Sequence, residues 1–430
     1  MTQSDTRSLD EWLAWQEQIH PASIEMSLER IREVAERLQL FTASSTKVVT
    51  VAGTNGKGST IAFLEAILRE AGYKVGCYTS PHILRYNERV RIQGEEVDDL
   101  TLCGAFSRVE QAREETPLTY FEFGTLAAIS ILQHAQLDVM LLEVGLGGRL
   151  DAVNIIDPDL AVVTSIDLDH MDWLGDNRES IGREKAGIFR FGVPVVCGDR
   201  SPPVSVTEHA KSLGAPFHCL GKTFDFERGN NDWAWHAETE RRVGLPEPHL
   251  KGSFQYSNAA TALMALALLK QDLPVSQSDT RAGLMDVKLP GRFQVLSTSP
   301  LVIIDVAHNA QGARALAQSL SSQPCDGQTI AIFSMLQDKD IKPVLQALAP
   351  HIDEWHVAGM EDIPRGVSML QMLQRIDQTE VNLVSVFPYK DLCTAYDQVI
   401  EQAKPEDRIV IFGSFFVVAE ILKARIIGAG

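Results

Sequence analysis

The stretch VTVAGTNGKGST, Val49 to Thr60, constrains this chain more than any other. A β-branched run, KVVTVAG, leads into it, and an amphipathic run, STIAFLEAILREAG, follows and stops at Gly72. With the strand-like KVGCYTS behind it, this reads as strand, glycine loop, helix, strand. Such βαβ units build parallel sheets. Main-chain N–H groups in the loop and at the helix N-terminus form an anion cradle, to which Lys57 adds a point charge. Phosphate binding is expected here. The loop departs from the usual pattern of a glycine, four free residues and Gly-Lys-Ser/Thr. Val51 stands where the first glycine belongs, and Gly58 delays the hydroxyls to Ser59 and Thr60.

The same rhythm continues along the chain. SLERIREVAERLQL places Leu28, Ile31, Val34, Ala35 and Leu38 on one helical face, with Ser27 as its cap. A helix is expected near 125–134, and LDVMLLEVG and DLAVVTSID read as buried strands. Between 201 and 250 the pattern degrades into polar, short-strand material expected to be peripheral. NAATALMALALLK is an apolar helix, and LPGRFQVL, with Pro290 and Gly291 adjacent, reads as a hinge. Beyond it the alternation restarts with LVIIDVAHN, TIAIFSML, EWHVAG and RIVIFGSFFVVAEIL. The expected fold is α/β, a P-loop parallel-sheet ATPase domain over 1–296 followed by a smaller Rossmann-like α/β domain over 297–430.

Composition limits what such a protein does. Its 430 residues, 45% hydrophobic, suffice for a full core in each domain. A formal charge of −18 argues against nucleic acid or an anionic membrane as partner, while leaving room for one basic pocket. Cys77, Cys103, Cys197, Cys219, Cys325 and Cys393 are scattered with no Cys-x-x-Cys pair, which suits reduced thiols in the cytoplasm. The polar N-terminus has no secretory core, and no run approaches the roughly 18 apolar residues of a membrane span.

Several further motifs end predicted strands. Ser80, in YTSPHILRYNERVRI, follows the second strand; ligands gather at such carboxyl ends, though a Ser-Pro turn explains it equally. Glu143 closes an apolar strand before GLGGRLDA; a carboxylate there meets a cation, with magnesium beside phosphates as the natural partner, or else a cap or salt bridge. His170, with Asp167 and Asp169, follows a third strand and is a candidate metal ligand or a structural histidine. Lys185, in REKAGIFR, is locally an ordinary helical lysine. Asn258, Arg292, Asp305 and His308 stand in SNAATALMAL, LPGRFQ and DVAHN, where a hinge contact and helix caps are the simpler readings.

In family order, TVAGTNGKGST, TSPH, EVGLGGRLDA, TSIDLDHMDWLG, IGREKAGIF, LPGRFQ and DVAHN cover nearly the whole chain. Together they resemble the bacterial dihydrofolate synthase/folylpolyglutamate synthases of the Mur ligase superfamily. Cell-wall Mur ligases carry a whole UDP-binding domain before the loop, whereas 52 residues precede Gly53 here. The resemblance implies an ATP-dependent ligase that joins L-glutamate to dihydropteroate and to reduced folates through an acyl phosphate. It implies ATP contacts at Gly53, Thr54, Asn55, Gly56, Lys57, Gly58, Ser59, Asn258, Arg292 and Asp305, with His308 joining Lys57 and Lys185 in catalysis. Magnesium would be held by Ser80, Glu143 and His170, and Lys185 would carry a carbamate. The pteroate would meet Glu25, Met26 and Ser27, then Thr119, Tyr120, Phe121 and Glu122, then Leu150, Asp151 and Ala152. Glu25-Met26-Ser27 departs from the family's Asp-Leu-Gly, and the alternative for the aromatics, Phe121 among them, is a core position at a helix start. A monomer is expected. The alternatives are a folylpolyglutamate synthase only, another Mur-type ligase, or a P-loop ATPase acting as a regulatory module.

Overall fold

The computed structural model describes residues 7–20, 25–40, 45–363 and 365–428. The chain divides into two compact units, Met1–His249 with Ser257–Val287, and Leu250–Tyr256 with Lys288–Gly430.

The first unit is built on an eight-stranded sheet: β1 (Lys47–Ala52), β2 (Val75–Tyr78), β3 (Val90–Ile92), β4 (Glu95–Glu96), β5 (Val139–Glu143), β6 (Leu160–Val163), β7 (Val195–Cys197) and β8 (Phe217–Cys219), in the order β4-β3-β2-β5-β1-β6-β7-β8. All pairings from β2 to β8 are parallel, and β3 and β4 turn back antiparallel at one edge. Helices cover the sheet, so its central strands are buried along their length and read as continuous apolar runs. Val51 is in register with Glu143 on one side and Val162 on the other. The carboxyl ends of β5, β1 and β6 therefore lie side by side, with β2 next to β5. That alignment gathers the loops after four strands on one edge of the sheet.

Residues 201–250 are more than peripheral. Phe217–Cys219 is the edge strand of the main sheet, and β9 (Phe224–Arg228), β10 (Trp233–Ala237) and β11 (Arg241–Leu245) form a separate antiparallel sheet. Its apolar content is sparse but large: Trp233 and Trp235 are buried, and the Trp235 indole donates to the Ala260 carbonyl at 3.1 Å. Ser27 is not the cap of the following helix, Glu29–Arg37; Leu28 occupies that position, and the Ser27 hydroxyl accepts the Glu29 N–H at 3.3 Å.

The second unit contains β12 (Gln294–Thr298), β13 (Leu301–Asp305), β14 (Thr329–Phe333), β15 (Glu354–Ala358), β16 (Val386–Tyr389) and β17 (Arg408–Phe412), ordered β12-β13-β17-β14-β15-β16. All pairs are parallel except β12 with β13. Because β12 hydrogen-bonds to β13, the units change at 287/288 rather than after 296. The stretch read as a hinge is thus partly a strand.

Candidate functional site

The phosphate loop forms because two of its residues adopt backbone that glycine alone accepts readily. Gly53 has φ 151° and Gly56 φ 90°, and the helix Lys57–Glu70 begins directly after Gly56. A Cβ at Gly53 would lie 1.9 Å from the Thr164 hydroxyl, and one at Gly56 would lie 2.5 Å from the Asn258 side-chain oxygen. Asn258, a predicted nucleotide residue, therefore lies against the loop. Gly53→Ala combines steric overlap with a strained φ, a cost of about 1–3 kcal/mol. Its expected result is at least a tenfold loss of ADP affinity by calorimetry, and wild-type affinity in this variant would contradict the loop geometry.

The loop after β6 holds the phosphate loop from the side. Thr54 N–H donates to Ser165 O at 2.6 Å, Asn55 N–H to the Ser165 hydroxyl at 3.2 Å, and the Thr164 hydroxyl to Asn55 O at 2.7 Å. The Thr54 hydroxyl bridges the main chain of Asp167, at 3.0 Å in each direction. Thr164 and Ser165 were not singled out in the sequence. They lie 110 positions from the loop, and nothing local marks them.

Two lysines converge on one carbonyl. Lys57 Nζ donates to Gly53 O at 3.1 Å and Thr54 O at 3.3 Å, and the buried Lys185 Nζ donates to Gly53 O at 2.9 Å. Burial, reinforced by the Lys57 charge, pulls the Lys185 pKa down to about 7, with Asp169 and Asp151 opposing. A second amine, stripped of water by burial, thus stands at the loop beside Lys57. The Lys185 helix, Arg178–Ala186, is fastened to the glycine-rich turn after β5: Arg149 N–H donates to Glu184 O at 2.8 Å, and the Asn154 amide to Gly187 O at 3.0 Å.

Of the predicted metal ligands, Glu143 is buried at the end of β5 and accepts the Ser80 N–H at 3.2 Å. His170 begins the short helix Met171–Leu174 with φ 52°, and its side chain is 38% exposed. Among the described residues, no three His, Cys, Asp or Glu side chains are gathered as a ready cation cage. A hydroxyl, a buried carboxylate and an imidazole nevertheless fit magnesium, which retains waters and takes oxygens from bound phosphates.

The residues expected to meet the pteroate fall into distinct surroundings. Thr119 and Glu122 form a buried capping box on the helix Tyr120–His134, with Glu122 Oε2 accepting the Thr119 N–H at 2.8 Å. Arg30 Nε donates to the same oxygen at 2.9 Å, and its Nη1 pairs with Glu25. Arg30 links two of the expected contact segments and was missed in the sequence. Glu122 Oε1 is buried with no hydrogen-bond partner among the described residues. Phe121 stacks on Tyr78 at 6.2 Å and Tyr120 meets Tyr86 edge-on at 6.0 Å. Asp151 accepts N–H groups from Leu146 at 2.8 Å and Val153 at 2.9 Å, and burial raises its pKa to about 6. Ala152 is buried beside it, while Leu150, Met26 and Ser27 are half-buried.

In the second unit, Asp305 ties its own loop to the stretch before β12. Its carboxylate accepts Phe293 N–H and Ala307 N–H, both at 2.8 Å, and burial raises its pKa although the Arg292 charge opposes this. Arg292 lies over the Phe415 ring at 5.0 Å, and His308 Nδ1 lies 2.8 Å from Val306 O. The helix after His308, Ala310–Ser321, is capped by Asn309, so neither Asp305 nor His308 is its cap.

A parallel sheet with a phosphate loop, two converging lysines and a strand-end carboxylate is the architecture of a P-loop nucleotide-binding enzyme, and the family matches place it among the ATP-dependent ligases of the Mur type. The Mur ligase middle domain family matches residues 51–201, and the Mur ligase glutamate ligase domain family matches 291–415. The chain is 44% identical over 415 residues to the Escherichia coli dihydrofolate synthase/folylpolyglutamate synthase, covering 96% of this chain and 95% of that protein. It superposes on E. coli FolC in complex with DHPP and ADP with a TM-score of 0.93 at 42% identity, covering 100% of both chains. The Yersinia pestis bifunctional folylpolyglutamate synthase/dihydrofolate synthase complexed with AMPPNP and Mn ion gives 0.90 at 45%, covering 99% of this chain and 100% of that one. The chain belongs to the dihydrofolate synthase/folylpolyglutamate synthase family.

Proposed function

We propose that this chain joins L-glutamate first to dihydropteroate, forming dihydrofolate, and then to reduced folates, forming polyglutamates. The observation that carries the reading is the convergence of Lys57 and Lys185 on Gly53 O, on the sheet edge that also carries Glu143. A carboxylate does not condense with an amine at neutral pH, so one of its oxygens must become a leaving group. The γ-phosphoryl of ATP moves to the substrate carboxylate, giving an acyl phosphate and ADP. The glutamate amine then attacks the acyl carbon, releasing phosphate and a proton. Positioning and charge neutralisation are the protein's share of this chemistry.

The glycine loop and Lys57 cradle the phosphates. Ser80, Glu143 and His170 would hold magnesium, which neutralises phosphate charge when bound. Lys185 is suited to a carbamate: CO2 adds only to a neutral amine, and a pKa of about 7 leaves a large neutral fraction at physiological pH. The unpartnered Glu122 Oε1 supports the pterin assignment, because an amino-pyrimidine edge offers the N–H donors that a buried carboxylate oxygen needs. The ring of Phe121 supplies a flat apolar face. Asn258, Arg292 and Asp305 are assigned to the nucleotide and His308 to catalysis on the strength of the family resemblance. None of the six cysteines is in a disulfide, which suits the reducing cytoplasm, and among the described residues no helix is long and apolar enough to cross a membrane.

The deciding assay supplies ATP and glutamate with dihydropteroate, tetrahydrofolate or a UDP-muramyl peptide. Dihydrofolate detected by mass in the first mixture and glutamylated tetrahydrofolate in the second are the expected products. Product only from tetrahydrofolate would reduce the activity to polyglutamylation, and product only from the muramyl peptide would overturn the reading.

A further inference from the structure

Between β2 and β3 runs the segment that carries Ser80, and one largely withdrawn guanidinium organises it. Arg91, on β3 opposite Cys77, directs its Nε and Nη2 to the Glu65 carboxylate, the shortest contact being 2.7 Å from Nη2 to Oε2. Its Nη1 donates to the Thr79 hydroxyl at 3.1 Å and to Glu88 O at 3.1 Å. Glu65 lies in the middle of the helix that opens at the phosphate loop, and both side chains are largely withdrawn from solvent, at 17% exposure for Arg91 and 8% for Glu65. Glu88 in turn gathers the N–H groups of Ile83, Leu84 and Arg85 at 2.6–2.7 Å, so the whole turn beyond Ser80 is held from this end.

We propose that Arg91 is a positioning residue of the divalent-metal site: it fastens the Ser80 segment to the phosphate-loop helix and so sets the distance between a metal ligand and the phosphate cradle. The inference rests on reading Ser80 and Glu143 as metal ligands. Three features make a purely cohesive role a poor account. A buried ion pair adds little net stability over apolar side chains of similar size. The guanidinium spends the two N–H groups of Nη1 on Thr79 and Glu88, both in the Ser80 segment. The Ser80 N–H donates to Glu143 at 3.2 Å, so the segment that Arg91 holds is bonded directly to the second proposed metal ligand. A planar fork can serve Glu65, Thr79 and Glu88 at once, whereas a lysine ammonium cannot match that geometry.

The test titrates Mn2+ into the full-length chain with ADP bound, reading free Mn2+ by electron paramagnetic resonance, alongside ADP binding in EDTA. The variants are Ser80→Ala, Arg91→Lys and the double variant Arg91→Met/Glu65→Met, which removes both buried charges and keeps the volume filled. Arg91→Lys and the double variant are expected to weaken Mn2+ binding about tenfold or more, with metal-free ADP affinity within about twofold of wild type. Should Arg91→Lys fail to fold, the double variant carries the comparison. Wild-type Mn2+ affinity in the Arg91 variants while Ser80→Ala is impaired would overturn the positioning role. An equal loss of metal-free ADP binding would also overturn it, by placing the effect on the phosphate loop. Wild-type affinity in Ser80→Ala would instead remove the metal-site reading, and this inference with it.

Discussion

Lys57→Ala is expected to lower kcat/KM by about 10³-fold, the upper end of what removing one charged donor to a developing anion costs. The fold should survive, because among the described residues the Lys57 ammonium bonds to carbonyls of its own loop, at Gly53 and Thr54. A second consequence is specific to this geometry. The Lys57 charge is the second cause, after burial, of the low pKa of Lys185. Its removal should raise that pKa, so a CO2-dependent activation of Lys185 would need a higher pH in the variant. Near-normal turnover at saturating ATP would show that the phosphates are held elsewhere.

Lys185→Met should separate activity from stability. Activity is expected to fall about 10²–10³-fold, in line with the loss of one preorganised charged group, whereas the folded state should gain. The folded pKa of about 7 lies below the ordinary value of 10.5. Between these values the unfolded chain binds more protons than the folded one, so wild-type stability rises with pH across that window. Below about pH 7 the lysine is charged in both states, and its burial penalty is complete, on the order of 4–5 kcal/mol. The methionine variant carries no such penalty. Its stability advantage over wild type should be constant below pH 7 and decline by roughly 1.4 kcal/mol per pH unit above it. Denaturant melts at pH 6, 7, 8 and 9 measure this directly. An advantage that does not change with pH would mean that Lys185 is not buried as an amine. Added short-chain carboxylic acids, supplying the anion a carbamate would provide, are expected to restore part of the activity.

The phosphate loop was legible because its signals are local: β-branched residues before it, glycines within it, and an amphipathic run behind it. The strand-end positions of Ser80 and Glu143 followed from the same alternation. Ser27 failed as a cap because the helix starts a residue later than its apolar periodicity suggests, with Leu28 at the boundary. Residues 201–250 were undervalued because a small antiparallel sheet buries a few large side chains, Trp233 and Trp235, instead of a long apolar run. Pro290 and Gly291 announced a break, but they could not show that the residues just after them pair with β13.

The parallel α/β architecture, the glycine loop and the strand ends are readable from the chain alone, since each depends on neighbours within a few positions. Which distant groups stand beside that loop depends on how the strands and helices assemble. The strand order β5-β1-β6 brings Thr164 and Ser165 against the loop, and the packing of Arg178–Ala186 carries Lys185 to Gly53 O. The pairing of β3 with β2 sets Arg91 between Glu65 and Thr79. A shifted pKa is likewise a property of the assembled molecule. Lys185 reads as an ordinary lysine along the chain and becomes unusual only when folding removes its water and sets a second ammonium beside it.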